Sequence, residues 1–282
     1  HRRLVGSEMC IRDRHYTDMK KLTSTFSINQ KPKSDDLIVS INAKKEILFN
    51  KKTKTFFHAL PKKYERAYKI FEQNDVSIFL VEEIAELNEN LEYYAKRHLY
   101  PHLDEDSLTL ISRAFQIYDW IYKQKFCART GNQLSEVKDD LSKFCTNCKR
   151  DYFPKMSPCI LVAVTNNDRI LLVKHNNEIR TLSTVIAGFV ELGESLEECV
   201  KREVQEEVGL QVTNIKYLES QSWPFPNQLM MAFSAEAIND EIEIDNNEIL
   251  AAGWYQKDDL PLIPPEPSLS NKLIKTTLDS ML

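Results

Sequence analysis

Glu203, Glu206 and Glu207 stand at i, i+3 and i+4 within GFVELGESLEECVKREVQEEVGL, residues 188–210. On a helix that spacing places three carboxylates on one face, where each solvated like-charge pair costs about a few tenths of a kcal/mol. Such a face is either a solvated acidic surface or a site for a hard divalent cation, which takes several carboxylate oxygens. The neighbouring residues favour the cation. Gly188 and Gly193 bracket a tight loop before the helix, so backbone carbonyls near Ala187 and Gly188 can come beside the acids, with Lys201 and Arg202 alongside. Magnesium or manganese held in this way keeps coordination positions for substrate phosphates. Metal ions can neutralise a pyrophosphate, lower the pKa of water and align its attack, and a glutamate in reach can then take the proton.

The elements that must carry these acids are legible. Ser195 followed by Glu198 is a capping box, which starts a helix. Leu196, Val200, Val204 and Val208 step by four and form one apolar stripe, and Gly209 stands where a left-handed residue ends the helix. Around it, residues 158–164 and 170–174 read as a hairpin turning at Asn166, Asn167 and Asp168. Further strands are predicted at 183–188, 211–219, 228–237 and 249–255, and a last helix after the prolines of 264–267. Upstream, the alternating stretch 37–57 reads as hairpin-like strands and 76–81 as a strand. Residues 82–97 read as a helical connection. Residues 107–126 read as one long helix with Leu108, Ile111, Phe115, Tyr118 and Tyr122 on its apolar face. His58, His98 and His102 are isolated and read as surface or packing residues.

With 42% hydrophobic and 28% charged residues over 282 positions, the chain is neither disordered nor fibrous, and its length suits two domains. No apolar run approaches the roughly 18 residues that span a bilayer. A net charge of −5 argues against a broad surface for duplex DNA. Residues 1–14, HRRLVGSEMCIRDR, read as translated adapter DNA fused to a partial reading frame; they are set aside with Cys10, and a native start is expected near Met19. The five cysteines that remain, Cys127, Cys145, Cys148, Cys159 and Cys199, include one C-x-x-C pair and suggest a reducing compartment with a metal site in play. Cys159 and Cys199 read as small core residues. The expected organisation is α+β: an N-terminal α+β domain at 15–126, a short ribbon-like connector at 127–156, and a C-terminal domain at 157–282.

The fixed positions Gly188, Glu194, Arg202, Glu203, Val204, Glu206, Glu207, Gly209 and Leu210 match G-x5-E-x7-R-E-U-x-E-E-x-G-U, where U is aliphatic. This resembles the box of the Nudix hydrolases. The segment Ser220-Gln221-Ser222-Trp223-Pro224-Phe225-Pro226-Asn227-Gln228 is similar to the SQPWPFPxS motif of the NADH pyrophosphatases within that family. FCxxxG, YFPxxxPCILVAV, AGFVELGE and WYQKDDLPLIPP extend the resemblance over about 100–282. It implies a Nudix α/β/α sandwich and metal-dependent cleavage of NAD(H) to nicotinamide mononucleotide and AMP, with removal of NAD caps from RNA in bacterial members. ADP-ribose or dinucleoside polyphosphates are the alternative substrates.

The same resemblance implies roles for single residues. Glu203, Glu206 and Glu207 would bind Mg2+ or Mn2+ with the Ala187 carbonyl, and Glu248 would be a further carboxylate for metal or substrate. Arg202 would orient the glutamates, and Glu194 would support the loop; the general base is left open among the acids. Gln221, Ser222, Trp223, Pro224, Phe225, Pro226, Asn227 and Gln228 would line the dinucleotide site. The two prolines would hold that run extended, with aromatic rings for base stacking. Phe153 and Phe189 would be stacking partners, Phe153 from a second subunit of a homodimer, with core packing as the competing reading. Ser270 would approach the substrate through its backbone. Ser222 and Gln228 depart from the motif. Thr130 stands where the family often has the fourth cysteine of a zinc site, leaving Cys127, Cys145 and Cys148. Either zinc is completed there by another residue or water, or the ribbon is degenerate and its cysteines are free or oxidised. The C-terminal Ser-Met-Leu is not a peroxisomal address, so the cytoplasm is expected.

Overall fold

The computed structural model describes residues 23–73, 76–84, 86–95, 98–99, 103–176, 182–225 and 227–281. The expectations for 1–14, Cys10, Met19, His102 and Pro226 lie outside the described residues. The chain forms two compact units. One takes residues up to 95 together with 121–153; the other takes 96–120 with 154 onward. This grouping cuts across the segments named from sequence: the connector falls with the N-terminal strands, and most of the long helix falls with the C-terminal residues.

In the first unit, β1 (Thr23–Ser27), β5 (Ala67–Gln73), β6 (Val76–Val81), β2 (Leu37–Ser40) and β4 (His58–Ala59) form a sheet in that order. β3 (Glu46–Asn50) pairs instead with β7 (Leu91–Ala95). The stretch 37–57 thus supplies strands to two different sheets: its arms meet at the Asn42–Lys45 turn through the Ile41–Ile47 bridge and the bond from the Asn42 N–H to the Glu46 carbonyl. Leu91–Ala95 is a strand where a helical connection was expected. Asn88 accepts from the backbone N–H of Asn90 through its side chain and from that of Leu91 through its carbonyl, which turns the chain. Tyr94 then packs its ring 5.3 Å from that of Phe49, and the Tyr93 hydroxyl meets Ser40 and Ile84, so tertiary contacts override the helical pattern. His58 is a packing residue: it is buried, its Nε2 lies 3.0 Å from the Leu48 carbonyl, and burial lowers its pKa.

The expected long helix is α1 (Glu105–Tyr122). In the second unit, a six-stranded sheet runs β13 (Val212–Trp223), β14 (Gln228–Ala237), β10 (Ser157–Asn166), β11 (Arg169–His175), β15 (Ile249–Tyr255), and β12 (Ile186–Phe189) also pairs with β10. The small pair β8 (Lys143–Cys145) and β9 (Arg150–Tyr152) belongs to the first unit. Alternation along β10 builds two cores. Ile160, Val162 and Val164 face helix α2 (Leu196–Val208) through its Val200, Val204 and Val208. Cys159, Leu161 and Ala163 face helix α3 (Leu269–Asp279) through Leu269, Leu273, Ile274 and Leu278. The result is the expected α/β/α sandwich. Each fully buried aliphatic side chain of these cores contributes roughly 1.5–3 kcal/mol. Cys159 and Cys199 are buried in them as foreseen. Among the described residues no helix is long and apolar enough to cross a membrane.

Candidate active site

Helix α2 begins as its sequence dictates. Ser195 Oγ accepts from the Glu198 N–H, and the Glu198 carboxylate accepts from the Ser195 N–H at 2.8 Å. It ends at Gly209, φ 71°, whose N–H bonds the Gln205 carbonyl at 3.0 Å. Between these caps the charged residues are arranged by Arg202. Its Nε and Nη2 grip both oxygens of Glu194 at 2.7 and 2.9 Å, Nη1 reaches Glu203 at 2.8 Å and Glu206 at 3.0 Å, and Nη2 also donates to the Phe189 carbonyl at 2.9 Å. One planar guanidinium thus fixes the loop before the helix and two carboxylates on it. Glu194 also accepts from the Glu191 N–H, and Arg202 pulls its pKa down to about 2.

Glu203 lies flat against Gly188. A Cβ at that position would stand 1.8 Å from Glu203 Cδ, so only glycine lets the carboxylate reach the sheet. Burial raises the Glu203 pKa, opposed by Arg202. Glu207 is more extreme. It is 3% exposed, its Oε2 has no hydrogen-bond partner, and burial followed by the charges of Glu203, Glu248 and Glu206 pushes its pKa up to about 8. Glu206 is the exposed member of the three. Glu248, just before β15, is exposed, and its charge acts on both Glu203 and Glu207. A buried carboxylate oxygen with no donor, crowded by like charges, fits a cation. Ala187 lies on β12 next to Gly188, opposite Leu161. The solvent-open groove of about 790 Å³ beside α2 follows Glu198, Lys201 and Gln205, off the face of Glu203 and Glu207.

Sheet register ties this face to the aromatic segment. Phe189 stands opposite Cys159, Cys159 beside Met230, and Met230 opposite Gln221. Two residues further along, Trp223 pairs with Gln228, so Pro224, Phe225 and Asn227 lie at a hairpin tip and not in the extended run expected from the prolines. The register of β13 and β14 imposes this reversal. At the tip the Trp223 and Phe225 rings meet edge to face at 5.2 Å. Pro224 is buried, and Asn227 ties the tip to the Lys155 carbonyl at 2.6 Å. Gln228 is buried.

The Gln221 amide is committed to structure: it donates to the Pro267 carbonyl and accepts from the Leu269 N–H. Ser270 is buried with its hydroxyl 2.6 Å from that of Thr184. Ser222, the departure from the family motif, is held by α1: Ser112 Oγ donates to its carbonyl at 3.2 Å and Gln116 Nε2 to its hydroxyl at 3.0 Å. Sequence gave no sign of Ser112 and Gln116, which are more than a hundred positions away. Phe189 is 51% exposed and Phe153, in the first unit, 52%, so neither is a core residue.

In the first unit the thiols of Cys127, Cys145 and Cys148 lie within 4.8 Å of one another. Among the described residues no other three or more His, Cys, Asp or Glu side chains gather their ligand atoms so closely. The trio can accept a thiophilic ion, but Thr130 leaves it one thiolate short of a closed structural zinc site.

Residues 155–276 match the NUDIX domain family. The NAD-capped RNA hydrolase NudC of Klebsiella pneumoniae is 42% identical over 178 residues, 62% of this chain and 69% of that protein. That of Escherichia coli is 43% identical over 176 residues, 62% of this chain and 68% of its own length. A solved Nudix hydrolase from Nitrosomonas europaea aligns with a TM-score of 0.47 and 20% identity over 56% of this chain and 92% of that one. The box glutamates, the aromatic hairpin and the two NudC relatives agree, and the chain belongs to the Nudix hydrolases, in their NADH pyrophosphatase branch.

Proposed function

We propose that this enzyme hydrolyses the pyrophosphate bond of NAD(H) to nicotinamide mononucleotide and AMP, and removes NAD caps from RNA by the same cleavage. The observation that carries the reading is the buried, unpartnered Glu207 carboxylate beside Glu203. The sheet register links this acidic face to an aromatic hairpin tip. Glu203, Glu206, Glu207 and Glu248, with the Ala187 carbonyl, would hold Mg2+ or Mn2+. The bound metal supplies charge neutralisation for the two phosphates and a lowered pKa for the attacking water. Arg202 keeps Glu203 and Glu206 aimed, and Glu194 keeps Arg202 in place. A glutamate of this face takes the proton from water. Trp223 and Phe225 offer ring faces on which the dinucleotide's bases stack, with Phe189 exposed on the same rung system. Exposed Phe153 suits the stacking role it would have if supplied by the second subunit of a homodimer. The free thiols suit a reducing cytoplasm.

Product analysis tests the reading. With NADH and manganese, nicotinamide mononucleotide and AMP are expected in equal amounts, and NAD-capped RNA should yield a 5′-monophosphate end. Turnover of ADP-ribose or a dinucleoside polyphosphate equal to or better than that of NADH overturns the assignment.

A further inference from the structure

The three-thiol knuckle belongs to the first unit and supplies nothing to the hydrolytic chemistry, and its construction points to a second kind of reactivity. Two matching turns build it. The Gly131 N–H bonds the Cys127 carbonyl at 2.9 Å, and the Lys149 N–H bonds the Cys145 carbonyl at 2.9 Å. They deliver Cys127 Sγ and Cys148 Sγ to 3.7 Å from each other. At the fourth corner stands Thr130, whose Oγ1 lies 3.5 Å from Cys145 Sγ. A neutral hydroxyl does not replace a thiolate, so the donor set does not fit the closed four-ligand zinc site that the turns would otherwise frame. The Tyr152 hydroxyl reaches into the cluster, 2.9 Å from Cys127 Sγ and 3.7 Å from Cys148 Sγ, where it can donate to a Cys127 thiolate.

We propose that Cys127 and Cys148 form a reversible disulfide by exchange with a low-molecular-weight disulfide, so that a site one ligand short of holding zinc acts as a thiol modification site. Their sulfurs already lie 3.7 Å apart, so a bond of about 2.05 Å asks for a short approach of the two thiols. Accessibility sets the order of events. Cys148 is partly exposed, whereas Cys127 and Cys145 are buried. Cys148 as thiolate attacks one sulfur of the incoming disulfide. One small thiolate leaves, picking up the proton that Cys148 gave up, and a mixed disulfide remains on Cys148. The Cys127 thiolate, held by the Tyr152 O–H, then attacks Cys148 Sγ and expels the second small thiolate, which takes up the proton that Cys127 gave up. Two electrons pass from the cysteine pair to the small disulfide, which is reduced to two thiols. Cys145, fully buried beside Thr130, stays reduced.

The test uses the full chain, incubated with oxidised glutathione in the presence of a chelator, then alkylated, digested and mapped by mass spectrometry. A peptide pair joined through Cys127 and Cys148 is expected, released by dithiothreitol. Cys127→Ser should stop at a glutathione adduct on Cys148, and Cys148→Ser should take up no glutathione in the knuckle. Cys159 and Cys199, alkylated only after denaturation, report that each variant is folded. A stable wild-type adduct on Cys148, a Cys145–Cys148 link, unchanged thiols, or one equivalent of zinc in the purified protein shielding all three thiols would each overturn the proposal.

Discussion

Glu207→Gln should destroy hydrolysis and yet stabilise the metal-free protein in alkaline buffer. In the folded chain Glu207 keeps its proton up to about pH 8, whereas an ordinary glutamate releases it near 4.5. Between those values the folded state binds more protons than the unfolded state, so stability falls as pH rises, and above pH 8 the loss is complete. At about 1.36 kcal/mol per pH unit, the ceiling on that loss is roughly 5 kcal/mol. Relaxation and water entry around a buried charge bring it to roughly 2–3 kcal/mol. Glutamine has the same shape and no charge, but its buried amide donors lack partners, which costs about 1 kcal/mol. The variant should thus be about 1 kcal/mol less stable than wild type at pH 5 and about 1–2 kcal/mol more stable at pH 9. At roughly 2–4 °C per kcal/mol, the pH 9 advantage is several degrees in Tm. Thermal unfolding in EDTA at pH 5, 7 and 9 measures this. A variant less stable than wild type by the same amount at all three values would refute the reasoning, because Glu207 would then not be a charge stranded by burial.

Three other outcomes follow from the geometry. Gly188→Ala places a methyl 1.8 Å from Glu203 Cδ, so it should displace that carboxylate, cutting kcat roughly 10–100-fold and costing about 1–3 kcal/mol of stability. Normal kcat in steady-state assays would show that Glu203 need not lie against the sheet. Arg202→Lys keeps the charge but cannot grip Glu194, Glu203, Glu206 and the Phe189 carbonyl together, and should lower kcat roughly 10–100-fold. Retention of wild-type turnover by the lysine variant would reduce Arg202 to a charge. Gln116→Ala removes one hydrogen bond, worth about 0.5–1.5 kcal/mol, from the base of the aromatic hairpin. It should raise KM for NADH about 2–10-fold at unchanged kcat, and a matching fall in kcat with constant KM would contradict a positioning role.

The parts legible in the sequence were those fixed by local chemistry. Ser195, Glu198 and Gly209 announce both ends of α2, and Val200, Val204 and Val208 announce the face it buries, because caps and periodicity act within a few residues. The acids beside that face came with them. What sequence could not supply was set by distant partners. The prolines suggested an extended run, but pairing of Trp223 with Gln228 puts Pro224 and Phe225 in a tip. Tyr93 and Tyr94 make residues 91–95 a strand because Ser40 and Phe49 wait for them, a condition invisible in a local helical pattern. Gln221 was expected to line the dinucleotide site; that its amide joins β13 to the start of α3 had no local signal. Gly188 could be read as a loop residue, but its need to be glycine comes from Glu203, fifteen positions on.

Manganese binding followed by the electron paramagnetic resonance of the free ion tests the central claim most directly. Titration of the wild-type chain should diminish the free-ion signal saturably, and Glu203→Gln and Glu207→Gln should each weaken that binding at least about 10-fold. Binding of equal strength in wild type and both variants would contradict the assignment of this carboxylate face as the metal centre.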